Sequence, residues 1–588
     1  MTWTHPIYRS FPLGENDFRL LHIQPASSLS SPVTARLSVV HYNPATRVSP
    51  TRFDALSYRW GDPDLRSTIL VGGSEISVTS SLECALRYLR YSDRELVIWV
   101  DAICINQEDV EERNMQVTFM GTIYTKSHHV RIWLGEAGPD TAVAMELANR
   151  CLGLPPMEDV VKNVAGDERG SLGLAELLGR PYWSRMWIFQ EILLANRAQV
   201  HCGQFDASFD SIMYMDAVSS RAYLWPDRHT TPPWILPLRR ALFNIAQFTI
   251  PPSALRNLEN ILVLTRRLRA TDARDKLFAL MGTCDLAPYL SIDYSKPVRD
   301  VYVEFTRRHI EKTGSLALLM LAGWENPEDQ EDIGLPSWTP DFRASKTVDI
   351  YIGYGIENAG VFNATKGKRF TAVSHGGYEA GYSDSVLVTE GFLLDTIRQT
   401  EPIVKRDSCP KQAVSAFDLG GVGRHPSGKP QIQAFCETIL FDIYGPKEGD
   451  TVENNKYREE RRSEQMLGFM RDMETLQNGA VPRKRDGSVD FAALFGPAAA
   501  ARPGSFVSRY EELARSDPDV LERHHKTFMK DYLYYAGKVS SMFSTQGRYF
   551  GRCNHSVQPG DVVALIFGCT LPVILRRQKS GFRLIGAA

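Results

Sequence analysis

Hydrophobic and polar positions in the first two hundred residues follow two rhythms. The runs "FRLLHI", "TARLSVVHY" and "FDALSY", all within residues 16–60, are short and β-prone and predict strands. "STILVGGSEISVTS" places alternating runs on both sides of Gly72-Gly73, which predicts a hairpin. In "SSLECALRYLRY" the rhythm changes. Leu82, Ala85, Leu86 and Leu89 recur at helical spacing, and Ser80 and Glu83 stand apart as a capping box requires. "ELVIWVDAICI" is almost wholly apolar, as a strand covered on both faces should be. "NQEDVEERNMQVTFMGTIYTKS" opens with acidic residues, which suit a helix N-terminus. Its rows Val110, Val117, Met120, Tyr124 and Met115, Phe119, Ile123 predict a helix enclosed on two sides, with Asn106 as its cap. A strand ("HHVRIWLGE"), a helix ("DTAVAMELANRCLG"), a loop over 153–173, one helix through "RPYWSRMWIFQEILLA" and a strand ("AQVHCGQF") follow. Strands alternating with helices predict an α/β fold with a parallel sheet flanked by helices, ending near residue 210.

Downstream, helices dominate 215–285, closing on "ATDARDKLFALMGTC", and 290–400 mixes helices with strands such as "SVLVTEGFLLDTI". Polar, Gly/Pro-rich stretches separate helices expected around 457–475 and 508–536. The last fifty residues alternate like a small antiparallel β unit. The expected organisation is an N-terminal strand segment (1–40), a first domain (41–212), a helical and mixed α/β region (213–400), a helical and loop region (401–540) and a C-terminal β unit (541–588).

Composition narrows the class. The 588 residues are 43% hydrophobic and 23% charged, with a formal net charge of −2, so no global field favours nucleic acid or an anionic membrane. Nine cysteines are scattered without a C-x-x-C pair, which argues for reduced thiols rather than a zinc ribbon or redox dithiol. The N-terminus lacks a signal-peptide pattern and no apolar run is long enough to span a bilayer. A soluble cytoplasmic protein is expected. No P-loop or dinucleotide fingerprint occurs. His524-His525 lack metal-ligand spacing, Cys104 lacks a base, and "KGKR" (366–369) and "PRKR" (482–485) suit solvated loops.

"ALSYRWGD" (55–62), "WVDAICINQEDVEERNMQV" (99–117) with "IY" (123–124), and "RPYWSRMWIFQE" (180–191) resemble, in order, the three blocks of the fungal heterokaryon incompatibility (HET) domain. "ATDARDKLFALMG", "LPSWTPDF" and "GDVVALIFGCTLPVILRR" resemble segments that follow it in such proteins. Family members run slightly beyond the final glycine of "LIG", so the last strand here is expected to be shortened or capped differently. The resemblance implies fungal non-self recognition and programmed cell death. HET domains in turn resemble TIR domains, flavodoxin-like α/β modules some of which cleave NAD⁺. TIR enzymes carry their catalytic glutamate four residues after a tryptophan, the spacing of Trp187 and Glu191 here. The TIR pattern often has serine two before that tryptophan, where this chain has Arg185, with Ser184 one residue earlier.

Ligands of open parallel sheets bind beyond the carboxyl ends of the strands. Tyr58, Arg59, Trp60, Gly61 and Asp101 are expected at such ends, with "SRMWIFQE" closing over the same edge. Cleaving the nicotinamide–ribose bond builds positive charge on the sugar, which one carboxylate can stabilise. Nicotinamide leaves as a neutral base and needs no strong acid. The resemblance therefore makes Glu191 the catalytic candidate and NAD⁺ a candidate substrate, with no cofactor required and no metal. Trp60 and Trp187 are candidate ring platforms, Arg59 or Arg185 candidate pyrophosphate partners, and Gly61 allows close backbone approach. Each has a plainer alternative: Glu191 on a solvated helix face or paired with Arg185, the tryptophans in the core, and Asp101 in an ion pair with Arg113. A non-enzymatic module that self-associates or recruits another incompatibility protein is the alternative function, and a sensing role for the C-terminal region is a third. Geometry separates them, because Glu191 should face the same cleft as Trp60 and Asp101.

Overall fold

The computed structural model describes residues 6–45, 51–151, 167–221, 258–266, 268–283, 289–323, 331–344, 386–402, 425–439, 452–474, 482–496, 502–536, 541–553 and 556–587. They fall into two compact units, Met1–Glu304 and Phe305–Ala588.

The first unit is built on a nine-stranded sheet. Its strands are β1 (Asp17–Ile23), β2 (Thr34–His41), β3 (Asp54–Tyr58), β4 (Arg66–Val71), β5 (Ser74–Thr79), β6 (Leu96–Trp99), β7 (Val130–Trp133), β8 (Ala198–Cys202) and β9 (Phe205–Ser208), in the order β5-β4-β2-β1-β6-β3-β7-β8-β9. The sheet is mixed, which corrects the expectation of a parallel one. Only β6, β3, β7 and β8 form a continuous parallel core. The outer pairs β1–β2, β1–β6, β4–β5 and β8–β9 are antiparallel, and β2–β4 is parallel. Numbered along the chain, the parallel core reads 2-1-3-4, the flavodoxin-like doubly wound order. Its order reverses beside β3, so a crevice belongs at the carboxyl end of that strand. Every residue of β3 is buried, as a strand covered on both faces must be.

Local chemistry accounts for most boundaries. Gly72 and Gly73 both take positive φ (61° and 83°), as the tight hairpin between β4 and β5 requires. The helix Ser80–Leu89 is capped by Thr79, which accepts from the Leu82 amide. The proposed Ser80/Glu83 box does not form, and Glu83 pairs with Arg87 instead. The apolar run after β6 does not stay extended: Asp101–Cys104 turns into a short helix. The next helix, Val110–Lys126, is capped by Asp109 rather than Asn106, through the Glu111 and Glu112 amides. Both of its rows contribute to the interior through Val117, Met120, Ile123 and Tyr124, although Val110 is exposed. The helix Thr141–Cys151 lies where expected. Residues 168–173, read as loop, belong to the helix Glu168–Gly179. The rest of that loop falls mostly outside the described residues.

The largest correction concerns 180–191. The single expected helix is two pieces, a 3₁₀ turn at Pro181–Ser184 and a helix at Ile188–Leu193, with Arg185 extended between them. The cause is tertiary. The Arg269 amide donates to Ser184 O (2.5 Å), and the Met186 amide donates to Arg269 O (2.8 Å). This strand-like bridge occupies the backbone groups that a continuous helix would use.

In the second unit, β10 (Gly391–Pro402), β11 (Ser541–Thr545), β12 (Phe550–Cys553), β13 (Val562–Ile566), β14 (Val573–Gln578) and β15 (Gly581–Ala587) form an antiparallel sheet in the order β12-β11-β10-β13-β14-β15. The C-terminal β unit thus includes a strand from before residue 403. A helical core of Phe435, Met466, Phe469, Phe491, Tyr510 and Phe528 belongs to the same unit. The helix expected over 508–536 is split into Phe506–Ser516 and Pro518–Ala536, because Asp517 precedes a proline and leaves the helical conformation. "KGKR" lies outside the described residues, and Lys484 of "PRKR" pairs with Glu511. No described helix is long and apolar enough to cross a membrane.

Candidate functional site

Tyr58 ends β3, and the chain leaves the sheet through Arg59, Trp60 and Gly61. Asp101 begins the turn just after β6, the neighbouring strand. The Trp60 indole Nε1 donates to Asp101 Oδ2 (2.9 Å), and the Tyr58 hydroxyl also bonds that carboxylate. Arg113, the expected partner of Asp101, lies over the Tyr294 ring at 4.2 Å instead. The reason is the turn after β6, which aims Asp101 at the sheet end rather than along the 110–126 helix.

Glu191 comes to the same place from the far side. It is 2% exposed, which removes the reading of a solvated helix face. Ser57 Oγ donates a short hydrogen bond to Glu191 Oε2 and lies 2.5 Å from the Tyr182 hydroxyl. Arg185 Nη1 stands 3.7 Å from Glu191 Oε2 and has no hydrogen-bond partner. Because Arg185 sits in the gap between the 3₁₀ turn and the helix, its guanidinium acts on both Glu191 and Asp101. The cluster grades inward from Trp60, 42% exposed, through Asp101 and Arg185, half-buried, to Ser57, Tyr182 and Glu191, all buried.

Burial dominates the electrostatics. It pushes the Glu191 carboxyl up to about 7, against the pull of Arg185 and the Ser57 hydrogen bond, and the charge of Asp101 adds to the rise. Burial likewise raises Asp101, opposed by Arg185, Trp60 and Tyr58. Burial works against the Arg185 charge, but Glu191 and Asp101 outweigh it and hold the guanidinium protonated. The site therefore pairs one guanidinium with two carboxyl groups that resist ionisation together.

A pH effect follows with a definite sign. Between about pH 4.5 and 7 the unfolded chain has released the Glu191 proton while the folded chain retains it. Rising pH then favours unfolding, by about 3 kcal/mol across that window. Denaturation of the wild type and Glu191→Gln at a series of pH values should show the wild type losing stability relative to the variant through this range. Parallel curves would show that Glu191 ionises normally.

Of the other residues named from sequence, Arg59 is exposed and its carbonyl accepts from Ser81 Oγ (2.8 Å). Gly61 has φ +82°, so the loop turn itself favours glycine there. Trp187 is not brought to the cluster face. Its Nε1 donates to Asp275 Oδ2 (3.0 Å), whose other oxygen accepts from the Tyr294 hydroxyl (2.6 Å). Burial raises Asp275 to about 6 despite these two bonds. Trp187→Phe, which removes a donor from this buried carboxyl, should cost about 1–3 kcal/mol. A double-mutant cycle with Asp275→Asn should recover most of that as coupling energy, and additive losses would deny the interaction.

Sequence reading missed Ser57, Tyr182 and Asp275. A hydroxyl in the middle of "ALSY", inside a wholly buried strand, was the available signal for Ser57. Tyr182 and Asp275 gave none, since their partners lie 125 and 88 residues away.

Residues 53–191 match the family described as Heterokaryon incompatibility protein (HET), so that stretch of the chain is a HET domain. The match runs from the residue before β3 to Glu191. The strands β1, β2, β8 and β9, and Asp275, lie outside it. Over 405 residues the chain is 26% identical to heterokaryon incompatibility protein 6, OR allele, of Neurospora crassa. That similarity covers 56% of this chain and 58% of the relative, so the chain spans little more than half the length of the curated protein it matches. No solved structure matches.

Proposed function

We propose that this protein acts in fungal heterokaryon incompatibility and that its HET domain hydrolyses NAD⁺ at Glu191. The observation that carries the enzymatic part is the position of Glu191: a buried carboxyl, held by Ser57, behind an indole-bearing rim at the carboxyl end of β3. In the reaction, water oxygen bonds to ribose C1′ while the C1′–nitrogen bond breaks. The bonding pair passes to the pyridinium nitrogen, which leaves as neutral nicotinamide, and the proton from water is released to solvent. Ionised Glu191 stabilises the positive charge that develops on the sugar. Trp60 offers a face for the nicotinamide ring at the exposed edge.

The same burial supports a second reading, in which the cluster is structural and the domain signals by self-association, triggering incompatibility without chemistry. The full chain, dilute and concentrated enough to assemble, would be incubated with NAD⁺ and free nicotinamide followed. Release by wild type is the expected result. No release in any assembly state would leave the self-association reading in place.

A further inference from the structure

We infer that Asp54, His128 and His129 form a site for a divalent transition-metal ion at the amino-terminal end of the parallel core. This end is opposite the one that carries Glu191, about 13 Å away along β3 at the usual rise per residue. Asp54 opens β3, and the His128-His129 pair immediately precedes β7, its parallel neighbour. In-register pairing of Ala55 with Val130 puts Asp54 beside His129.

The donor geometry is that of a metal cage. Asp54 Oδ1 lies 3.6 Å from His129 Nδ1 and 3.8 Å from His128 Nδ1, and one ligand atom from each residue falls within 4.8 Å of the others. These separations are too long for hydrogen bonds. A tetrahedral zinc ion with bonds of about 2.0–2.1 Å sets its donors about 3.4 Å apart. Small rotations of the two rings, which stand nearly perpendicular, close the difference. The carboxylate is oriented as a ligand should be. Arg131 Nε holds Oδ2 (2.6 Å) and is itself tied to the Tyr91 hydroxyl (2.6 Å), leaving Oδ1 for the imidazoles. The histidine side chains are about a third exposed, so a fourth position is open to water. Imidazole and carboxylate donors suit zinc.

Three cations face the site and limit its affinity. Arg131 is fixed on Asp54. Arg52, which is exposed, contacts the His128 ring (Nη2 to Nε2, 2.6 Å) and must swing away when metal binds. Arg197 acts on His128 as well. A bound ion would tie the start of β3 to the start of β7 and stabilise the sheet by mass action.

The full, reduced chain would be titrated with Zn²⁺ by calorimetry and with Co²⁺ by absorption. One ion per chain should bind, with a tetrahedral Co²⁺ spectrum lacking a thiolate charge-transfer band, and the melting temperature should rise. His129→Ala removes a partly exposed ligand and should weaken Zn²⁺ by more than the roughly 10–100-fold typical of outer-shell changes. Arg52→Ala removes a repelling charge and should tighten it several-fold. No Zn²⁺ binding by the wild type, unchanged binding in His129→Ala, or a thiolate-dominated Co²⁺ spectrum would each overturn the assignment.

Discussion

Glu191→Gln is expected to abolish nicotinamide release from NAD⁺ while leaving the chain folded. Glutamine matches the shape of glutamate, and its amide oxygen can still accept from Ser57, so the buried geometry around Tyr182 is kept. Only the charge is lost. A preorganised group aimed at charge that develops in the transition state is worth about 10²–10³-fold in rate when removed. A carboxylate facing a sugar cation in a buried site should lie at or above that range. Only the ionised form acts, so release by the wild type should climb as pH passes through about 7 and level off beyond it. The variant should also be the more stable protein above neutral pH, because no buried carboxyl at position 191 has to ionise there. Loss of activity could then not be blamed on unfolding. A variant that releases nicotinamide at the wild-type rate would take Glu191 out of the chemistry.

Arg19→Met should destabilise the first unit by about 3–5 kcal/mol, the cost of leaving a buried charge without its partner. Arg19 is 1% exposed, yet every polar atom of its guanidinium is occupied. It holds both Glu112 oxygens (2.6 and 3.0 Å), Phe11 O (2.8 Å) and Cys104 O (3.1 Å), and its guanidinium carbon lies over the Tyr8 ring at 4.8 Å. One side chain thus joins the N-terminal segment, β1, the turn after β6 and the 110–126 helix. That turn begins with Asp101, so the same substitution should loosen the rim of the candidate site. Domain stabilities are about 5–15 kcal/mol, which makes such a loss decisive. Thermal and denaturant unfolding would measure it. Adding Glu112→Gln should recover part of the stability, since glutamine can still accept from the Asn106 amide without a buried charge. A double variant as unstable as the sum of the single ones would place the loss in packing rather than in the ion pair.

The residues that converge at the sheet end were partly legible in advance. Tyr58, Trp60 and Asp101 follow buried apolar runs, and the rule that chains expose their chemistry at the carboxyl ends of parallel strands is enough to gather them. Glu191 could be nominated only by its spacing from Trp187, and that spacing misassigns the tryptophan, whose indole serves Asp275 instead. The partner of Asp101 was misread for a related reason. Helical spacing suggested Arg113, but a turn of four residues after β6 redirected the carboxylate.

Amino-acid order alone determined the first eight strands of the first unit, the Gly72-Gly73 hairpin, the helices on either side of β7 and the alternating C-terminal strands. Each depends on periodicity or on backbone preferences that act within a few residues. Tertiary structure alone decided that β1 runs antiparallel to both β2 and β6, that the 180–191 segment breaks at Arg185, and that Ser57, Tyr182 and Glu191 share one buried cluster. Those outcomes depend on which backbone amide or side chain is delivered from far along the chain, as Arg269 is to Ser184. Local propensity carries no information about such arrivals, because packing selects the partner only after the elements have formed.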